Sequence, residues 1–126
     1  MRIINFSHPL TVNQKLELAK WLQVDEFKVT EVAVQFRIRD AFEGQVAEML
    51  DQANVSQGDV DLGVVVMLPA LSAAAAVLVA EWHGRFGHFP TVVRLKSVGD
   101  LLPEWKLAEV MPLQKIRSRA RFRRDK

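Results

Sequence analysis

His8 stands between Ser7 and Pro9, directly after the apolar run Ile3-Ile4-Asn5-Phe6. Ser72 ends a second short loop, Pro69-Ala70-Leu71-Ser72, directly after Val64-Val65-Val66-Met67-Leu68. An imidazole with a pKa near neutrality donates a hydrogen bond or moves a proton at physiological pH. A serine at a helix start caps that helix, and the same helix end can bond a ligand. Each loop leads from a strand-like run into a helix-like segment. In an open α/β sheet, such loops at the carboxyl ends of neighbouring strands form the ligand crevice. Helix N-termini there present unpaired N–H groups, which suit phosphate. The candidate ligand-binding residues are therefore Asn5, Ser7, His8, Pro9, Pro69, Ala70, Leu71 and Ser72. Arg85 joins them because a guanidinium clamps phosphate.

Each of these residues also has a plainer role. His8 reads equally as a brace of its turn, and bracing is the leading role for Asn5. Ser72 is expected first of all as the N-cap of the following helix. Arg85 lies in Glu81-Trp82-His83-Gly84-Arg85-Phe86, where His83 and Arg85 complement a helix C-terminus and the aromatics close the core. His83 and His88 do not have a metal-ligand spacing, and the chain has no Cys, so no metal site is expected. Walker, GxGxxG, GxSxG and HExxH patterns are absent, and no cofactor is implied. No strong motif assigns a catalytic residue.

The elements that position these residues follow from periodicity. Met1 to Phe6 reads as a first strand. Thr11 and Gln14 form a capping box, opening a helix to about Gln23 with Leu18, Trp21 and Leu22 on one face. Phe27 to Phe36 alternates as a second strand with a slip near Thr30. Phe42, Val46, Met49, Leu50 and Ala53 have helical spacing, and Asn54 to Asp61 reads as a loop. Leu62 to Leu68 is a central strand buried on both faces. A helix from Ser72 to about Phe86 ends at Gly84 or Gly87. Pro90 to Lys96 and Trp105 to Met111 give a fourth and fifth strand, the last an edge hairpin. Leu113, Ile116 and Ala120 fit a final helix, while the alternation of basic residues there fits an extended tail. The order implies a Rossmann-like α/β fold: a mostly parallel sheet of about five strands with helices on both faces. With the second strand outside the first and the third on its other side, the two loops meet at the switch point.

With 126 residues, the chain divides into a single domain over 1–112 and a basic helix or tail over 113–126. The tail holds seven basic residues against Asp125, and the rest holds ten basic against fourteen acidic. A mildly acidic body thus carries a strongly basic end, a pattern that fits RNA or simply a solvated terminus. Leu62 to Ala80 is 19 residues without a charge, near the length of a membrane span. Pro69 in its middle and the change from β-branched residues to alanines read instead as strand, turn and buried helix, with no membrane partner. The absence of Cys fits a reducing compartment, and the cytoplasm is the expected location. Ala73 to Ala80, apolar all round, packs either within the monomer or on another subunit.

The strings Ile4-Asn5-Phe6-Ser7-His8-Pro9-Leu10-Thr11, Leu68-Pro69-Ala70-Leu71-Ser72-Ala73-Ala74-Ala75, Trp82-His83-Gly84-Arg85 and Gly87-His88-Phe89-Pro90-Thr91-Val92-Val93-Arg94-Leu95 resemble a small CRISPR-associated family, the Csx family numbered fifteen. The resemblance extends to about Leu113. It implies an accessory protein of type III CRISPR systems that binds cyclic tetra-adenylate as a sponge, with Ser7, His8, Pro9, Pro69, Ser72 and Arg85 as loop and helix-end positions. It transfers no catalytic residue. A ligand with four equivalent phosphates also suits a homo-oligomer, dimer or higher. The alternatives are a metal-independent ring nuclease, in which His8, Ser7 or Arg85 would align the ribose 2′-hydroxyl and stabilise the strained phosphate, and an RNA-binding protein using residues 113–126.

Overall fold

The computed structural model describes residues 1–124, so Asp125 and Lys126 of the basic tail lie outside the described residues. The elements in chain order are β1 (Arg2–Asn5), α1 (Val12–Leu22), β2 (Lys28–Glu31), α2 (Phe42–Ala53), α3 (Gln57–Leu62), β3 (Val64–Met67), α4 (Ser72–Phe86), β4 (Thr91–Val98), β5 (Glu104–Pro112) and α5 (Leu113–Arg124). One five-stranded sheet has the order β2-β1-β3-β4-β5. The first four strands are parallel, and β5 returns antiparallel along β4. This is the Rossmann-like α/β architecture read from the sequence.

Alternation across the pleat sorts the core into two layers. Ile4, Phe6, Val66 and Val92 face α2 and α4, where Val46, Met49, Leu50, Leu78 and Trp82 meet them. Ile3, Val65, Met67 and Val93 face the other way, onto Leu10 and onto α1 through Leu18. Helices therefore cover both faces, α2 and α4 on one and α1 on the other. Ile3, Ile4, Leu18 and Val66 are fully buried, and each such side chain contributes about 1.5–3 kcal/mol.

Several sequence expectations are corrected. The second strand stops at Glu31, with one further ladder bond from Val32 N to Asn5 O. Beyond it β1 has no residue left to pair, so Val34 and Phe36 turn onto the α2 layer instead, with the Phe36 and Phe42 rings 5.1 Å apart. The expected loop over 54–61 contains α3, opened by a capping box between Ser56 and Asp59. Trp21 is exposed, because at 3.6 residues per turn the inward line of α1 runs through Leu18 and Leu22. Of the two readings of the basic end, helix or extended tail, residues 113–124 take the helix.

Candidate functional site

β1 and β3 run side by side in register, Asn5 beside Met67, so the loops that follow them leave the same carboxyl edge. β2 lies on the other side of β1, Glu31 beside Asn5. The chain reverses its winding direction there, and a crevice of about 590 Å³ opens. Ser7, His8 and Pro9 form one wall; Pro69, Ala70 and Leu71 form another; Glu31 to Val34 and Phe36 close the third side over Phe6. Six of the nine residues singled out by sequence thus line one cavity.

Asn5 lies beneath the crevice rather than in its lining. It is fully buried, the one polar side chain so placed among the described core residues. Its Nδ2 donates to His8 O and to Glu31 Oε2, both at 2.8 Å, and its Oδ1 accepts from Ser7 N at 2.9 Å. Its donors and acceptor are used to hold the first loop and the end of β2 together. Asn5 therefore shapes the site and leaves little capacity for a ligand.

The two helix ends at this edge differ. The α1 N-terminus is closed: Thr11 Oγ1 accepts from Gln14 N at 3.1 Å, and Gln14 Oε1 accepts from Thr11 N at 3.0 Å. The α4 N-terminus is open. Its N-cap is Leu71, which has no side chain able to cap, and Ser72 is the first helical residue rather than the expected cap. The first amides of a 15-residue helix beside the crevice are left without a side-chain acceptor, at the positive end of its dipole.

Arg85 is not brought to the crevice. It sits one residue before the end of α4, about 20 Å along the axis from Ser72. There its guanidinium is bonded to Asp51 at 2.8 Å, Glu81 at 3.0 Å and Ala47 O at 3.0 Å, tying α4 to α2. Desolvation by partial burial pulls its pKa down, but the Glu81 and Asp51 carboxylates together hold it above the ordinary arginine value. The phosphate role expected of Arg85 is thus filled by protein carboxylates.

Sequence reasoning missed Glu31. Its carboxylate lies at the end of β2 in the crevice wall and accepts from Asn5 Nδ2, with Leu10 N at 3.5 Å. The signal available was its place at the carboxyl end of a strand flanking the switch point, where dinucleotide-binding folds put the acidic group that bonds a ribose hydroxyl. Among the described residues, no lysine or arginine lines the crevice. An anion there would be met by His8, Ser7 and backbone N–H groups, and the apolar walls suit a ring or a sugar.

No group of His, Cys, Asp and Glu able to hold a metal ion occurs among the described residues, and no helix there is long and apolar enough to cross a membrane. Comparison with protein-family models, with curated proteins and with solved structures gives no match.

Proposed function

We propose that the chain binds cyclic tetra-adenylate in the carboxyl-edge crevice and acts as a cytoplasmic sponge in type III CRISPR signalling. The observation that carries this reading is the meeting of the Ser7-His8-Pro9 and Pro69-Ala70-Leu71 loops beside the open N-terminus of α4. Uncapped amides at a helix N-terminus suit a phosphate. The apolar wall of Val32, Val34 and Phe36 offers a surface to adenine. A crevice of about 590 Å³ is the size that encloses one drug-sized group. A ring of four nucleotides exceeds it, so the reading includes a homo-oligomer in which equivalent loops share the ring. The exposed outer face of α4, with Ala73, Ala76 and Ala80, is the surface offered to the partner.

The test is incubation of the protein with excess cyclic tetra-adenylate, followed by chromatography of the nucleotide. Intact ring recovered in stoichiometric amount with the protein is the expected result. Conversion to linear products over many turnovers replaces the sponge with the ring nuclease, and no retention of the ring rejects both. His8→Ala keeps the fold, since His8 is exposed, and weakens retention by about 1–3 kcal/mol, the cost of one lost ligand hydrogen bond.

A further inference from the structure

The opposite edge of the sheet has a chemistry of its own. β3 and β4 begin there, β5 ends there, and α5 departs from it, with Leu113 N bonded to Pro90 O at 3.2 Å. A pocket of about 310 Å³ lies at the root of α5. Its polar lining is Trp82, His88, Thr91, Gln114 and Lys115, and none of its lining residues is acidic. Trp82 is 1% exposed, and its indole Nε1 has no hydrogen-bond partner. A buried donor left in this state is costly unless an acceptor reaches it. Gln114 Oε1 is occupied by Phe89 N at 2.9 Å, which leaves its amide N–H groups as donors. His88 Nδ1 lies 3.1 Å from Phe86 O, a carbonyl that can only accept, so this nitrogen carries the proton. The pocket thus offers the Gln114 amide and Lys115 as donors, and among the described residues no carboxylate lines it.

α5 continues the same character. Between Leu113 and Arg124 it has no acidic residue. Lys115, Arg119 and Arg123 repeat at i, i+4 along one line of the helix, and Arg117 and Arg121 along another. All five are exposed. Like charges so spaced repel and weaken the helix on its own, so its stability improves when a polyanion neutralises them. Arginine predominates over lysine, which favours the bidentate geometry of phosphate. Leu113 is packed on the core, and the exposed apolar residues of α5 are Ile116, Ala120 and Phe122. Phe122 lies about 120° round the helix from Ile116, so α5 has no single apolar face for insertion into a lipid interface.

We propose that α5 and the pocket at its root form a binding surface for single-stranded nucleic acid, with the phosphate backbone along one cationic row and a base or phosphate acceptor meeting the Gln114 amide and Lys115 at the pocket. The surface is separate from the carboxyl-edge crevice and does not depend on what that crevice binds.

The test is fluorescence anisotropy of a labelled oligouridylate of about 20 nucleotides, longer than one such surface covers. A row of three cations on a single strand gives a slope of log affinity against log salt of about −2. Lys115→Gln with Arg119→Gln and Arg123→Gln weakens binding about tenfold or more at low salt. The same charge change made at Lys20, Arg37 and Arg39 leaves it within about twofold if binding belongs to α5 rather than to net charge. Gln114→Leu, which removes the amide donor at the pocket, weakens binding about threefold or more. Equal loss from both triple substitutions overturns the surface as a specific site. Full binding in folded Gln114→Leu overturns the pocket's part. Binding to phosphatidylserine vesicles without oligonucleotide binding overturns the proposal in favour of a membrane.

Discussion

Replacing Asn5 by alanine should unfasten the crevice. The side chain makes three hydrogen bonds at 2.8–2.9 Å, two to the backbone of the first loop and one to the Glu31 carboxylate. Neutral bonds of this kind contribute about 0.5–1.5 kcal/mol net and one to a charged group about 1.5–3 kcal/mol. Their simple addition overstates the loss, because Ser7, His8 and Glu31 lie near the surface and regain water. A destabilisation of about 3 kcal/mol remains, a large part of the stability of a small domain. Urea unfolding of the wild type and Asn5→Ala measures it at unchanged m-value. A loss below about 1 kcal/mol would refute the assignment of Asn5 as the brace. Asn5→Asp sharpens the test. It keeps the acceptor for Ser7 N but sets a second carboxylate against Glu31 Oε2, 2.8 Å away in the wild type. Two carboxylates so close share a proton, which raises the pKa of the pair in the folded state. The stability carried by that proton is present at low pH and lost as pH rises through the raised pKa. Asn5→Asp should therefore be most destabilised at neutral pH and recover toward the wild type as pH approaches about 4.

Arg85→Ala should lower stability by about 1–2 kcal/mol by releasing Asp51, Glu81 and Ala47 O, a figure reduced for partial exposure, and should leave retention of cyclic tetra-adenylate unchanged; a selective loss of ligand in a fully stable variant would return Arg85 to the site. Gly87, at φ 79°, ends α4, so Gly87→Ala should cost about 1 kcal/mol, whereas Gly84→Ala inside the helix meets no atom within 4 Å and should add about 0.5–1 kcal/mol; thermal unfolding of both reads the opposite signs. Asp59 is held below the usual carboxylate range by the backbone N–H and hydroxyl of Ser56 and by Arg2, against opposing desolvation. Its contribution is present above its unfolded pKa and lost as pH falls through the lower folded value, so Asp59→Asn should flatten the fall in stability below about pH 4; an unchanged acid limb would contradict this.

The sequence was most legible where one local signal agreed with burial. Thr11 and Gln14 named the start of α1, and Gly87 was one of two glycines expected at the end of α4. Val46, Met49, Leu50 and Ala53 named the buried face of α2. The sequence posed one strand order, with β2 outside β1 and β3 on its other side, under which the two loops meet, and that is the order of the sheet. The failures share a different cause. Val34 and Phe36 alternate as a strand does, but pairing needs a neighbour, and β1 ends at Asn5. Ser72 has the chemistry of a cap, yet the chain enters α4 one residue earlier, at Leu71. Arg85 has the chemistry of a phosphate clamp, yet Asp51, far away in sequence, reaches it first. Residue type states what a side chain can bond, and only the fold states which partner arrives.

That distinction bears on how the crevice recognises a ligand. A dense run of basic residues lies in α5, which leaves the sheet at its amino edge, while among the described residues the crevice at the carboxyl edge is lined by one carboxylate and no lysine or arginine. Attraction by net charge therefore cannot be what places an anionic ring there. Recognition has to come from geometry: amides at the open end of α4, the His8 and Ser7 side chains, and apolar contact with Val32, Val34 and Phe36. Glu31 adds selectivity, because an ionised carboxylate accepts from a hydroxyl and repels a phosphate oxygen. In the proposed complex it would orient a nucleotide with its sugar toward β2 and its phosphate toward α4. Asn5, bonded to Glu31 on one side and to Ser7 and His8 on the other, fixes the distance between those two ends. The buried asparagine is thus the link through which the pairing of β1 with β2 becomes the spacing of the site.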